Sequence, residues 1–162
     1  MLILGVDPGS LRTGYGAIDT DGRRHRLVDK GAIAAPRRSS LPERLRQIHV
    51  GISGVIERLA PDLLAVEDVF HAANTRTALV LGHVRGVVLL AGAEAGLPVH
   101  EFPPATVKQQ VTGFGRADKR QVAFMVARIL DLPGSGEAGD AADALAVALC
   151  LACVHSGAVV PS

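Results

Sequence analysis

Leu2-Ile3-Leu4-Gly5-Val6-Asp7-Pro8-Gly9-Ser10 opens the chain as a continuous apolar run closed by a carboxylate and then by turn chemistry. An apolar run this short is a buried strand, and Pro8-Gly9 cannot continue it. Asp7 is thereby expected at the carboxyl end of a central strand. The pattern recurs at Leu63 to Val66, a second short apolar run, which hands over to Glu67. Near the other end, Asp140 and Asp143 open a third apolar stretch. Three positions apart, they are neighbours on one helix face near the positive end of its macrodipole.

Between these landmarks the chain alternates its periods. Gly14 to Ile18 and Arg26 to Ile33, separated by the turn signal Asp21-Gly22, add two strands to the first and predict an antiparallel meander. Leu41 to Leu59 carries apolar residues close to a helical period, with Ser40 as cap and Glu43 placed for a capping box. Pro61 and Asp62 end that helix. Asn74 or Thr75 is expected to cap a second helix through about Ala95, apolar on nearly all sides and so buried on more than one. Val99 to Phe102 gives a fifth strand, a short helix follows Pro104, and two further helices span about Lys119 to Leu130 and Asp140 to His155. The plan is α/β, with three antiparallel strands followed by two parallel ones and helices on both faces of a mixed sheet.

With 162 residues, 48% hydrophobic and 20% charged, residues 1–162 are expected to form one globular domain. The N-terminal apolar run is too short for a signal peptide, and the longest hydrophobic stretch, Thr77 to Ala93, is interrupted by His83 and Arg85. The expectation is a soluble, cytoplasmic protein without membrane association. Cys150 and Cys153 share a helix face in apolar surroundings with no second pair to complete a zinc site, which reads as two buried, reduced thiols. The net charge of +1 hides a polarity, because Arg23 to Arg46 contains eight basic residues against Asp29 and Glu43. Arg23, Arg24, Arg37 and Arg38 are either solubilising loop residues or a phosphate-facing strip.

The carboxylates carry the chemistry. In open α/β sheets ligands gather beyond the carboxyl ends of the strands, where adjacent ends can bring Asp7 and Glu67 together. Asp140 and Asp143 can join them in one small volume. Like charges so close raise one another's pKa values, so a cation must neutralise the cluster. All-oxygen donors select a hard ion, Mg²⁺ with Mn²⁺ as its substitute, over zinc. Two such ions per subunit, roughly 4 Å apart, would activate a water and stabilise a leaving 3′ oxygen in phosphodiester hydrolysis. On spacing alone, Asp7 and Asp140 read equally well as turn and cap residues.

Four groups of residues then appear in order along the chain: Gly5-Val6-Asp7-Pro8-Gly9-Ser10 with Thr13-Gly14-Tyr15-Gly16; Val66-Glu67-Asp68-Val69-Phe70; Val107-Lys108-Gln109 with Val111-Thr112-Gly113-Phe114-Gly115 and Lys119-Arg120-Gln121-Val122; and Asp140-Ala141-Ala142-Asp143-Ala144-Leu145-Ala146. Together they closely resemble the RuvC family of Holliday-junction resolvases. The resemblance implies a ribonuclease-H-like fold, a homodimer, Mg²⁺-dependent paired nicking of four-way DNA junctions in recombination and repair, and coupling to the branch-migration proteins RuvA and RuvB. It places metal-binding catalytic roles on Asp7, Glu67, Asp140 and Asp143, and substrate contacts near the scissile phosphate on Lys108 and Lys119. Arg120, beside Lys119, is counted with the DNA contacts.

Phe70 follows Glu67 in an expected loop of a chain with few aromatic residues, and an exposed ring there could stack on an unpaired base; the alternative is a staple for the next helix. Asn74 and Arg76 could reach phosphates from the same loop and helix start. Tyr15 reads as packing, and His71, His83 and His100 are not needed for catalysis, His83 being assigned to the core or to an interface. A symmetric junction needs two nicks related by a two-fold axis, which a C₂ dimer supplies. Leu79, Val80, Val84, Val87 and Leu90 of the apolar second helix are the candidate interface. Three rival readings remain beside this one. They are an actin-like ATPase fragment sharing the first turn, another ribonuclease-H-like nuclease acting on RNA–DNA hybrids or of the YqgF type, and a junction-binding module without catalysis.

Overall fold

Strands β1 (Leu2–Asp7), β2 (Arg12–Thr20) and β3 (His25–Ala34) form the antiparallel meander, in a computed structural model that describes residues 1–68, 74–133 and 138–157. Strand β4 (Leu63–Glu67) adds in parallel to the free edge of β1, and β5 (Val99–Phe102) in parallel to β4, giving the order β3-β2-β1-β4-β5. The expected mixed sheet is thus the observed one. Strands β2 and β3 run longer than their apolar segments because the ladder extends through Arg12, Thr13, Thr20 and His25, whose partners lie on neighbouring strands rather than in the local pattern.

Strand parity divides the core in two. Ile3, Ile18, Leu63 and Ala65 face helices α3 (Pro104–Thr112), α4 (Lys119–Ile129) and α5 (Asp140–Ser156). Leu4, Val6, Ala17, Leu64 and Val66 face α1 (Leu41–Leu59) and α2 (Thr75–Glu94). Because side chains alternate along a strand, Asp7 and Glu67 point to the same side as Ile3 and Ala65, the side covered by α5. Helix α5 is buried along Ala144 to Cys153, and both thiols lie within it, free and buried. Burial pushes the Cys150 thiol up to about 12, so it is held as an inert thiol.

The capping box at Ser40 and Glu43 is formed, and Asn74, rather than Thr75, caps α2 by accepting from the Thr77 N–H. Helix α2 corrects one expectation. Its buried residues are Val84, Val88, Ala91 and Gly92, so it is buried on one face only, and His83 is exposed rather than in the core. Leu79 and Leu90 remain 61% and 51% exposed, which leaves an apolar face uncovered. By length and composition α2 would be apolar enough to cross a membrane. It is nonetheless tied to the sheet by Arg85, which bridges Asp68, just after β4, and Glu101 of β5.

Candidate active site

The register of β1 and β4 pairs Val6 with Val66, so Asp7 and Glu67 stand one residue beyond that pair at neighbouring parallel strand ends. Parallel neighbours are roughly 4.8 Å apart, which brings the two carboxyls within reach of each other. Burial, followed by the negative charge of Asp143, pushes Asp7 up to about 6; burial, followed by the charge of Asp7, pushes Glu67 up to about 7.

Two glycines let α5 complete the site. Helix α5 lies so close to β1 and β2 that a Cβ on Gly5 would collide with the Ala144 carbonyl, and one on Gly14 with the Asp140 carbonyl. The first turn of α5 is therefore pressed over the carboxyl end of β1, with Asp140 and Asp143 in that turn. Its N-cap, Gly139, has no side chain with which to cap the helix, and the two carboxylates lie beside the exposed N–H groups.

Each helix carboxylate has a cation. Lys119 Nζ donates to Asp143 Oδ2 at 2.7 Å, and Asp143 is only 16% exposed. The hydrogen bond to Asp143, with the surrounding negative charges, holds the Lys119 ammonium above its ordinary pKa. Arg12 Nε donates to Asp140 Oδ2 at 2.8 Å. Among the described residues no three Asp, Glu, His or Cys side chains stand together in a coordinating arrangement. Asp140 and Asp143 are each engaged by one of these basic side chains. As a donor set the four carboxylates nevertheless fit a hard cation, since ionising the buried Asp7–Glu67 pair is costly and added positive charge would offset that cost.

A small cleft of about 160 Å³ joins Glu67, Lys108, Lys119 and Asp143 over Val107 and Ala146. Both lysines singled out from the sequence therefore reach the carboxylate site. Arg120 does not: it lines a separate cavity with Phe114, Gln121 and Phe124. Arg76 is exposed on the first turn of α2, and the Asn74 carbonyl oxygen is engaged in capping. Phe70 and His71 lie outside the described residues. Arg12 was not among the residues read from the sequence. Its signal is parity, since it shares a strand face with Gly14 and Gly16, which α5 contacts.

The family model for "Crossover junction endodeoxyribonuclease RuvC" matches residues 3–151. The crossover junction endodeoxyribonuclease RuvC of Chloroflexus aggregans is 50% identical over 150 residues, covering 93% of this chain and 92% of that protein. That of Halorhodospira halophila is 53% identical over 148 residues, covering 91% and 87%. Among solved structures, Thermus thermophilus RuvC in complex with Holliday junction substrate is similar with a TM-score of 0.90 and 35% identity, over 97% of this chain and 96% of that one. The yeast mitochondrial Holliday junction resolvase shares the fold, with a TM-score of 0.64 at 13% identity over 93% and 77%.

Proposed function

This chain belongs to the crossover junction endodeoxyribonuclease RuvC family, and we propose that it resolves four-way DNA junctions by paired, symmetric phosphodiester hydrolysis. The observation that carries the reading is the placing of Asp7 and Glu67 at adjacent parallel strand ends beneath the first turn of α5, which bears Asp140 and Asp143. Carboxylates forced together at strand ends, under a helix N-terminus, are a costly arrangement that a structural role does not require. Asp7, Glu67, Asp140 and Asp143 would hold Mg²⁺, replaceable by Mn²⁺, with up to two ions in each subunit. When bound, the ions supply an activated water and stabilisation of the leaving 3′ oxygen.

The remaining work falls to the chain's own residues. Lys119, exposed at its tip and anchored on Asp143, presents an ammonium where charge develops on the scissile phosphate. Lys108, which lines the same cleft, orients the DNA backbone. Arg76, Asn74 and Arg120 lie farther out and serve as positioning contacts to the flanking duplex, and Phe70 is the candidate for stacking on an unpaired base.

The uncovered face of α2 supports a homodimer. Leu79, His83, Gly86 and Leu90 recur at helical spacing on that face, and a Cβ on Gly82 or Gly86 would meet open space. Two copies packed through this face would present two sites related by a two-fold axis. Val84 is buried in the sheet-facing core and is not part of that surface. Residues 1–162 form a single ribonuclease-H-like nuclease domain in this reading, acting in the cytoplasm with the branch-migration proteins RuvA and RuvB.

The experiment is incubation of the protein with end-labelled four-way and linear DNA, with and without Mg²⁺. Symmetric nicks in the junction alone, and only with the metal, are expected. Equal cutting of linear duplex, or cutting in chelator, would contradict the reading.

A further inference from the structure

Arg12 stands where the two parts of the site meet. It lies on β2 two residues before Gly14, so its side chain emerges on the face that α5 covers, and there it meets Asp140. Only Nε engages the carboxylate, and the side chain is 65% exposed. Arg12 also lines a cavity of about 300 Å³ between β2, β3, α4 and α5, together with Lys30, Gly139 and Asp140. Lys30 is exposed and is the second cation lining it. The cavity therefore lies beside the candidate metal ligands with two basic residues in its lining.

We propose that Arg12 is a substrate-responsive positioning residue: without DNA it holds the Asp140 carboxylate away from the metal site, and a DNA backbone phosphate entering between Arg12 and Lys30 draws the guanidinium off and frees Asp140. The inference rests on the nuclease reading and adds to it a residue, a second phosphate subsite and an order of events. Its chemistry is an exchange of partners. An oxygen of Asp140 that accepts from Nε is a poorer donor to a cation, and the attached positive charge repels that cation. A single-point, solvent-exposed ion pair is weak and easily given up. A phosphate offers the guanidinium two oxygens in the planar geometry that it matches best. Lys30 adds charge but, being a point charge, does not duplicate the fork. DNA binding and closure of the carboxylate site are in this way positively coupled, and the coupling is reciprocal.

The test measures both sides of the exchange on the full chain. Mn²⁺ is titrated calorimetrically into DNA-free wild type, Arg12→Ala and Arg12→Lys, and four-way junction binding is measured without divalent ions across a salt series. Arg12→Ala is expected to bind Mn²⁺ about 5-fold more tightly than wild type. Its junction affinity should fall, with a salt dependence shallower by about 0.9 in log–log slope, as for one lost phosphate contact. Arg12→Lys should keep the slope. If wild type binds both Mn²⁺ and junction but Arg12→Ala is unchanged in either Mn²⁺ affinity or salt slope, the role of Arg12 is overturned while the nuclease reading stands. If wild type takes up neither Mn²⁺ nor junction, the nuclease reading fails and this role fails with it.

Discussion

Lys119 Nζ lies 2.7 Å from Asp143 Oδ2, joining the first turn of α4 to the first turn of α5 over the carboxyl end of the sheet. The bond places a cation against the carboxylate pair formed by Asp7 and Glu67, whose charges also raise the lysine's pKa. Removing the ammonium leaves the fold intact, because Lys119 is 74% exposed and the cap of α4 is Asp118. Lys119→Ala should therefore lower the single-turnover rate of junction cleavage by roughly 10²-fold, the scale for one lost electrostatic group at a transition state. Thermal melting should shift by no more than about 2 °C, because the lysine that is lost is mostly exposed. A rate within a factor of two of wild type would remove Lys119 from the site.

The Asp7–Glu67 pair makes a signed prediction about stability. Both groups titrate higher in the folded protein than their ordinary values of 3.8 and 4.5, at about 6 and about 7. The native state thus holds more protons than the unfolded chain between roughly pH 4 and pH 7, so these groups cost stability as pH rises through that window. Metal-free Asp7→Asn should melt higher than metal-free wild type at pH 8, by roughly 4 °C, and the difference should vanish near pH 4. Mg²⁺ at pH 8 should raise the melting temperature of wild type more than that of the variant. An Asp7→Asn protein that melts lower than wild type at pH 8 would show that the charge pair is not a source of strain.

How far the site can be read from the sequence depends on where each residue's constraint lies. Asp7 and Glu67 are legible because each ends a short apolar run, and their adjacency follows once the two runs are taken as neighbouring strands. Helical spacing shows that Asp140 and Asp143 share one face, but their assignment to the site comes from the resemblance to the RuvC family. Arg12 is not legible, because its partner is 128 residues away and the pairing follows from strand parity and from the close approach that Gly14 allows. Helix α2 misleads for a related reason. Its composition gives no clear amphipathic stripe, which suggests burial on several sides, whereas Leu79 and Leu90 are exposed. An apolar residue reserved for a partner is indistinguishable in one sequence from one reserved for the core.

That uncovered face yields the third prediction. Leu79→Glu combined with Leu90→Glu adds charge to exposed positions, so the folded monomer should survive with little change in melting temperature. Sedimentation at micromolar concentration should show a dimer for wild type and a monomer for the double variant. Paired nicks in one junction should give way to single, uncoordinated nicks. A wild-type protein that sediments as a monomer, or a double variant that remains dimeric, would assign the apolar face of α2 to something else.

If the carboxylates gathered at the ends of β1 and β4 perform the cleavage, Asp7→Asn should abolish it. The substitution keeps the side chain's size while removing one charge from the pair. Junction cleavage by wild type and Asp7→Asn should be compared at equal, saturating occupancy, with binding measured in the same samples. A fall of at least about 10³-fold in cleavage, with junction affinity retained within about 3-fold, is the predicted result. Cleavage by Asp7→Asn at a rate close to wild type would contradict it.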